Sequence, residues 1–203
     1  MKYTPLKIGI TGGIGSGKTS VCKIFETLGI PVYYADDRAK QLMSNHEPLI
    51  ERIKSIFGAA SYDATGQLNR PYLAQLVFAD PAKLRKLNEL VHPAVAKDAE
   101  KWHRDQTHAP YTLKEAALLF ESGSFRTLDR IICVYAPPEE RIRRVMERDQ
   151  VSEVQVRSRM SKQMSDFEKI QLSDDIITNN GKQALIPQVL SIHRKIVATL
   201  QMG

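Results

Sequence analysis

With two cysteines among 203 residues, the chain has no disulfide framework to build on. Cys22 falls on a helical pattern and Cys133 in an apolar strand pattern, and no Cys or His spacing matches a metal site. Long apolar runs are missing as well. The longest, Ile131 to Ala136, is a fraction of the roughly 20 residues that a membrane-spanning helix needs. The first residues hold no basic stretch leading into an apolar core, which speaks against a secretory leader. Internal repeats, low-complexity tracts and blocks of like charge are also absent, since Lys and Arg alternate with Asp and Glu almost throughout. These absences lead us to expect a cytoplasmic, reduced protein; a monomer with at most weak self-association is the expected state, although the sequence does not fix it. Neither a membrane nor a nucleic acid is expected as its partner.

What is present describes a globular chain, 42% hydrophobic and 26% charged, long enough for a sizeable core. The net charge of +6 suits a small anionic ligand.

Between Gly12 and Thr19 the chain reads Gly-Gly-Ile-Gly-Ser-Gly-Lys-Thr, a full match to the phosphate-loop pattern GxxxxGK[ST]. Glycines allow successive backbone N–H groups to crowd around anionic oxygens. Lys18 can reach the β- and γ-phosphates, and the Thr19 hydroxyl is placed to ligate Mg²⁺. The run Leu6–Thr11 before the motif reads as a buried strand. Val21, Ile24, Phe25 and Leu28 after it mark one helix face, closed by Gly29 and Pro31.

Five segments read as strands, near 6–11, 31–34, 111–119, 130–136 and 175–179, separated by helical patterns. The fold expected is therefore α/β, of the phosphate-loop NTPase type: a parallel five-stranded sheet flanked by helices, with an inserted helical substrate domain and a helical lid. The core takes residues 1–35, 111–138 and 170–203, the substrate domain 36–110 and the lid 139–169. In the insertion, Leu49, Ile50, Ile53, Ile56 and Phe57 form a helix stripe, and Asn69 and Asp80 are candidate N-caps before Pro71 and Pro81. His92-Pro93 reads as the end of a helix. In the lid, Arg141, Arg144 and Arg148 share a helix face, and Ser152 with Gln155 resembles a capping box that puts Arg159 and Gln163 one turn apart. A final helix from about Lys182 carries Leu185, Ile186, Val189, Ile192, Ile196 and Leu200 as its buried stripe, after the turn Asn179-Asn180-Gly181.

Phosphoryl transfer to an alcohol calls for a base, and Asp36, two residues past the apolar end of the second strand, is the candidate. Asp37 reads as a helix-start residue. Glu121 ends the run Ala117–Phe120, either as a strand-end acid orienting Mg²⁺-bound water or as an ordinary loop acid. Asp63-Ala64-Thr65-Gly66 matches the bare DxxG string of GTP-dependent switches. It lies among helical patterns, and the chain has no Asn-Lys-x-Asp guanine motif, so it reads as a turn.

Along nearly its whole length the chain resembles dephospho-CoA kinase. Gly9 to Thr19 reproduce the opening of that family, and Gly66-Gln67-Leu68-Asn69-Arg70 with Leu73, Val77-Phe78 and Asp80-Pro81 resembles its substrate-domain signature. Leu90-Val91-His92-Pro93, Leu118-Leu119-Phe120-Glu121, Arg144, Arg148-Asp149, Gln163, Asp174-Asp175 and Asn179-Asn180-Gly181 continue the series in order. The resemblance implies phosphorylation of the ribose 3′-hydroxyl of dephospho-CoA by MgATP, giving CoA and ADP, the last step of coenzyme A synthesis. ATP would lie on Gly12, Gly13, Ile14, Gly15, Ser16, Gly17, Lys18 and Thr19, with Arg144, Arg148 and Asn179. The substrate would meet Thr11, Asp36, Arg70, His92 and Glu121. Catalysis would rest on Asp36, Lys18 and Arg144, and the metal on Thr19. The family's usual Asp-Ala-Asp is Tyr34-Ala35-Asp36 here, so its first acid is missing, and its usual proline before Leu-Leu-Phe-Glu is Ala117. Another phosphate-loop kinase, such as one acting on nucleoside monophosphates, is the alternative reading.

Overall fold

The strand that precedes the glycine loop, β1 (Leu6–Thr11), sits in the middle of a five-stranded parallel sheet ordered β2-β3-β1-β4-β5. The other strands are β2 (Val32–Tyr34), β3 (Tyr111–Glu115), β4 (Arg130–Tyr135) and β5 (Asp175–Thr178). Ile8 and Ile10, alternate residues on one face of the strand, are fully buried in the main core, and on the other face Gly9 lies against Leu119, Leu128 and Ile131. The computed structural model describes residues 5–201. Chain contacts divide it into two units: residues 1–34 with 102–203, and residues 35–101.

In the first unit, helix α1 (Lys18–Thr27) and helix α9 (Leu185–Gln201) cover one face of the sheet. Val21, Cys22 and Phe25 of α1 and Val189, Ile192 and Ile196 of α9 join Ile8, Ile10, Tyr111, Leu113, Ile132, Val134 and Ile177 in one core. Each large side chain buried there contributes about 1.5–3 kcal/mol. The hairpin α6 (Pro138–Asp149) and α7 (Glu153–Met160) has a smaller core of Ile142, Val145 and Val156, against which the phosphate-loop residue Ile14 packs. Ser152 and Gln155 form the capping box that opens α7, and Ser165 with Glu168 forms another for the short helix α8 (Asp166–Gln171).

At the amino ends of the strands the polar groups are satisfied within the protein. Asp129 accepts from the Lys7 amide and Asp174 from the Ile131 amide, both at 2.7 Å. Asp175 binds Arg130 at the start of β4 and Lys195 of α9.

The second unit is helical: α2 (Ala35–Asn45), α3 (Glu47–Phe57), α4 (Arg70–Ala79) and α5 (Pro81–Arg104), the last running on into the first unit. Asn69 caps α4 through the Tyr72 amide, and Asp80 accepts from Ala82 and Lys83 at the start of α5. Leu49, Ile50, Ile53 and Phe57 bury one face of α3, while Ile56 is exposed. Arg38 clamps Asp98 with two bonds of 2.9 and 2.7 Å.

Four sequence expectations need correction. The third strand ends at Glu115 and not near 119, because Leu119 and Phe120 are buried in a turn rather than in a strand. Pro93 does not end a helix but lies inside α5. A proline there removes one backbone donor at a cost of about 3 kcal/mol, and the buried Val91 and Val95 on either side anchor the helix across it. The last helix begins at Leu185, since the Asn180 side chain accepts from the amides of Lys182 and Gln183 and holds them in a turn. Ile186 at its start is 58% exposed and stands outside the buried stripe. Among the described residues no helix is long and apolar enough to cross a membrane.

Two predictions follow from this packing. Burial pushes the Cys133 thiol up to about 11 and raises that of Cys22 further. A thiol titration of the native protein near neutral pH should therefore find neither cysteine reactive, and unfolding should release both. Burial alone would raise the Asp175 carboxyl, but the hydrogen bonds and charges of Arg130 and Lys195 outweigh it and hold the group below its ordinary 3.8. A depressed folded-state value stabilises above the unfolded pKa and is lost as pH falls through the folded one. Asp175→Asn should cost about 2 kcal/mol at pH 7 in denaturant titrations, with the gap to wild type closing below pH ~4.

Candidate phosphate-binding and phosphoryl-transfer site

The loop that joins β1 to α1 lies at the carboxyl edge of the sheet. There β1 and β4 are neighbours whose onward connections leave in opposite directions, which is where open α/β sheets bind ligands. The first loop residue must be glycine, because a Cβ on Gly12 would fall 2.2 Å from the Val134 carbonyl oxygen. The last, Gly17, takes a left-handed φ of 94° and meets Asn179, whose Nδ2 a Cβ there would approach to 2.1 Å. No side chain caps α1 and its first turn holds no acid, so its N–H groups and the positive end of its dipole face the loop.

Lys18 turns back over this loop. Its ammonium, largely buried, donates to the Gly12 carbonyl at 3.0 Å and stands 3.8 Å from Glu115 Oε1. The hydroxyls of Thr11 and Ser16 are buried with no hydrogen-bond partner among the described residues. A buried hydroxyl left unpaired costs about 1–3 kcal/mol, so two at one loop mark a place built to meet a ligand. Thr19, on the first turn of α1, is exposed. Asn179 donates from Nδ2 to the Ser16 carbonyl at 2.8 Å, and its own carbonyl accepts from Arg144 Nη2 at 3.1 Å. Arg144 Nη1 is buried and unpartnered among the described residues. The structure thus brings Gly12–Thr19, Thr11, Arg144 and Asn179 together.

Arg148 is placed differently, 64% exposed and paired with the adjacent Asp149. Arg143 pairs with Glu140 and Glu147, and Arg159 with Asp149. Arg141 is the arginine that shares the loop with Arg144: it is 4% exposed, bonded to Asp166, and lies against Gly13. Because α7 stops at Met160, Gln163 is not one helical turn from Arg159. It lies in the turn that follows, and its Oε1 accepts from the Ile14 amide at 2.9 Å.

The acid at the end of β3 is Glu115, which the strand boundary expected from sequence concealed. It stands in register with Ile10 of β1 and Tyr34 of β2. Glu121 is committed elsewhere: it accepts from the Met164 amide at 2.8 Å and pairs at 3.1 Å with Lys169, a fully buried lysine that also donates to the Ala117 carbonyl. A buried ammonium requires such a counter-charge. Tyr34, in place of an acid, donates to Glu26 at 3.1 Å, with the Lys23 ammonium over its ring.

In the helical unit, Asp36 is exposed in the first turn of α2 and makes no hydrogen bond or ion pair among the described residues, whereas Asp37 pairs with Lys40. Arg70 opens α4 on the rim of a pocket of about 450 Å³ that Ser44, Asn45 and Thr65 also line. His92 is exposed midway along α5. Asp63 binds the amides of Thr65 and Gln67, which confirms a turn in the DxxG string. Among the described residues no three His, Cys, Asp or Glu side chains cluster as a metal site.

The family model of dephospho-CoA kinase matches residues 6–184. A dephospho-CoA kinase of Salinibacter ruber is 43% identical over 176 residues, covering 86% of this chain and 88% of that protein. A crystal structure from Thermus thermophilus superposes with a TM-score of 0.83 at 34% identity, covering 95% of this chain and 98% of the other. The dephospho-CoA kinase of Campylobacter jejuni superposes with a TM-score of 0.69 at 26% identity, over 94% and 96% of the two chains. With its phosphate loop, parallel sheet and loop arginines in place, the chain belongs to the dephospho-CoA kinase family.

Proposed function

We propose that this protein transfers the γ-phosphoryl group of ATP to the ribose 3′-hydroxyl of dephospho-CoA, releasing CoA and ADP, as a cytoplasmic monomer. One observation carries the reading. A chain matched to this family from residue 6 to residue 184 ends its central strand in a phosphate loop with two buried, unpaired hydroxyls.

The loop amides and the first turn of α1 hold the phosphates, and Lys18 neutralises charge at their terminal end. Arg144, fixed through Asn179 to the loop, keeps one buried guanidinium nitrogen for the transferring group. Asp36 follows β2 by two residues and accepts the proton of the attacking hydroxyl; its carboxylate is engaged by no other described side chain. Residues 36–110 hold dephospho-CoA, with Arg70 and His92 among the contacts, and residues 139–169 close over ATP and exclude water.

The donors present fit Mg²⁺ better than a metal caged by protein. Thr19 offers a hydroxyl on the first turn of α1, Glu115 is the acid beside Lys18, and no carboxylate or histidine cluster competes for a softer ion among the described residues. Thr19 would hold Mg²⁺ together with the nucleotide, and the ion would supply charge neutralisation of the phosphates. Tyr34 stays a protonated donor, its phenol raised by burial and by the charge of Glu26 and the hydrogen bond to it. Glu115, beside it in register, is the acid at that level of the sheet edge.

Purified protein supplied with MgATP and dephospho-CoA should form CoA and ADP, and should turn over dephospho-CoA in preference to nucleoside monophosphates. Absence of CoA from a correctly folded sample rejects the assignment. Asp36→Asn should lower kcat by about 10²–10⁴ with ATP binding retained, as expected for loss of a general base. Near-normal turnover by that variant removes Asp36 from the chemistry.

A further inference from the structure

Gln163 reaches across 149 positions of sequence to accept the Ile14 N–H at 2.9 Å. A peptide N–H can only donate, so this bond settles which way the side-chain amide faces: Oε1 is on the Ile14 N–H, which leaves Nε2 and its two protons for another acceptor. Among the described residues no group accepts from Nε2. The side chain borders a pocket of about 360 Å³ that Arg141, Met160, Met164 and Asp166 also line.

Its position along the loop identifies the end of the ligand it would meet. Three consecutive loop residues each lie under a side chain that carries donors. Lys18 is on the Gly12 carbonyl, Arg141 is over Gly13, where a Cβ would fall 1.7 Å from Nη1, and Gln163 is on Ile14. Lys18 is the residue that serves the terminal phosphates, so the stretch Gly12–Ile14 borders them. Arg141 is more than nine-tenths buried, and its Nε has no partner among the described residues. A second side chain with an unpartnered donor therefore lies beside the same stretch of loop. The Gln163 backbone is tethered on both sides: its amide donates to the Met160 carbonyl at 3.0 Å, and the next amide, that of Met164, to Glu121, which Lys169 holds.

On the reading of this loop as a nucleoside triphosphate site, we propose that Gln163 is a phosphate-reading residue. The Ile14 N–H holds its carbonyl, and its Nε2 donates to an oxygen of the terminal phosphoryl group, so that triphosphate is bound in preference to diphosphate. A carboxamide meets both demands. A carboxylate in its place accepts from Ile14 but repels the phosphates, and a lysine or arginine donates to the phosphates but cannot accept from Ile14.

Gln163→Glu keeps the acceptor for Ile14 and removes the forward donor; Gln163→Ala removes both. Binding of a non-hydrolysable ATP analogue and of ADP, each with Mg²⁺, would be measured by calorimetry for wild type and both variants, alongside melting without nucleotide. Gln163→Glu should weaken the analogue by about ten- to a hundredfold, the loss of a hydrogen bond to a charged group, and leave ADP within about twofold. Its melting temperature without nucleotide should match wild type. Gln163→Ala should also weaken the analogue more than ADP. Equal losses for both nucleotides, or no loss for either, overturn the proposal and leave Gln163 a strut between lid and loop. A wild-type protein that binds the analogue but forms no CoA removes the dephospho-CoA assignment alone. CoA formation together with an unchanged preference for triphosphate in both variants removes the role of Gln163 alone.

Discussion

A lysine ammonium held out of bulk water at the mouth of a parallel sheet has to be compensated where it stands. Lys18 finds its compensation in the Gly12 carbonyl and the Glu115 carboxylate, contributed by the residue after β1 and the last residue of β3. Both partners are delivered by strand register, since Glu115 lies opposite Ile10, two residues before Gly12. A slip of one residue in that pairing would turn Glu115 to the other face of the sheet and leave the charge unbalanced. The apolar strands and helices that bury Ile8, Ile10, Phe25 and Leu113 therefore do more than stabilise a core. They hold the register on which the phosphate loop depends.

The α6–α7 hairpin shows how differently similar charges can act. Arg143, Arg148, Arg157 and Arg159 are exposed and pair with neighbouring acids, interactions that water and salt largely screen. Arg141 and Arg144, both on α6, lie at the loop, and each has a buried nitrogen with no partner among the described residues. Burial separates the two sets.

Much of this was legible from residue order alone. The strand, glycine loop and helix around Lys18, the Ser152–Gln155 box and the Asn69 cap are local features, fixed by neighbours three or four positions away, and they appear where the sequence puts them. The larger misreadings concern tertiary context. Ala116 to Phe120 are apolar enough for a strand, but burial of Leu119 and Phe120 in a turn satisfies the same preference and leaves Glu115 as the terminal acid. Pro93 is a poor helix residue, tolerated because α5 is anchored on both sides of it. Gln163 was placed on a helix with Arg159, where its bond to a loop residue 149 positions away could not be foreseen. A long-range partner of this kind leaves no periodic trace.

The sheet also has two dissimilar rims. Where its strands begin, Asp129, Asp174 and Asp175 tie the backbone amides of Lys7 and Ile131 and the cations of Arg130 and Lys195 into closed pairs. Where the strands end, hydroxyls and guanidinium nitrogens are left without partners among the described residues. Durability and chemistry are thereby housed at opposite poles of one scaffold. An engineer could harden the first pole for shelf life, or graft a new acceptor specificity beside the second, with little cross-talk between the two.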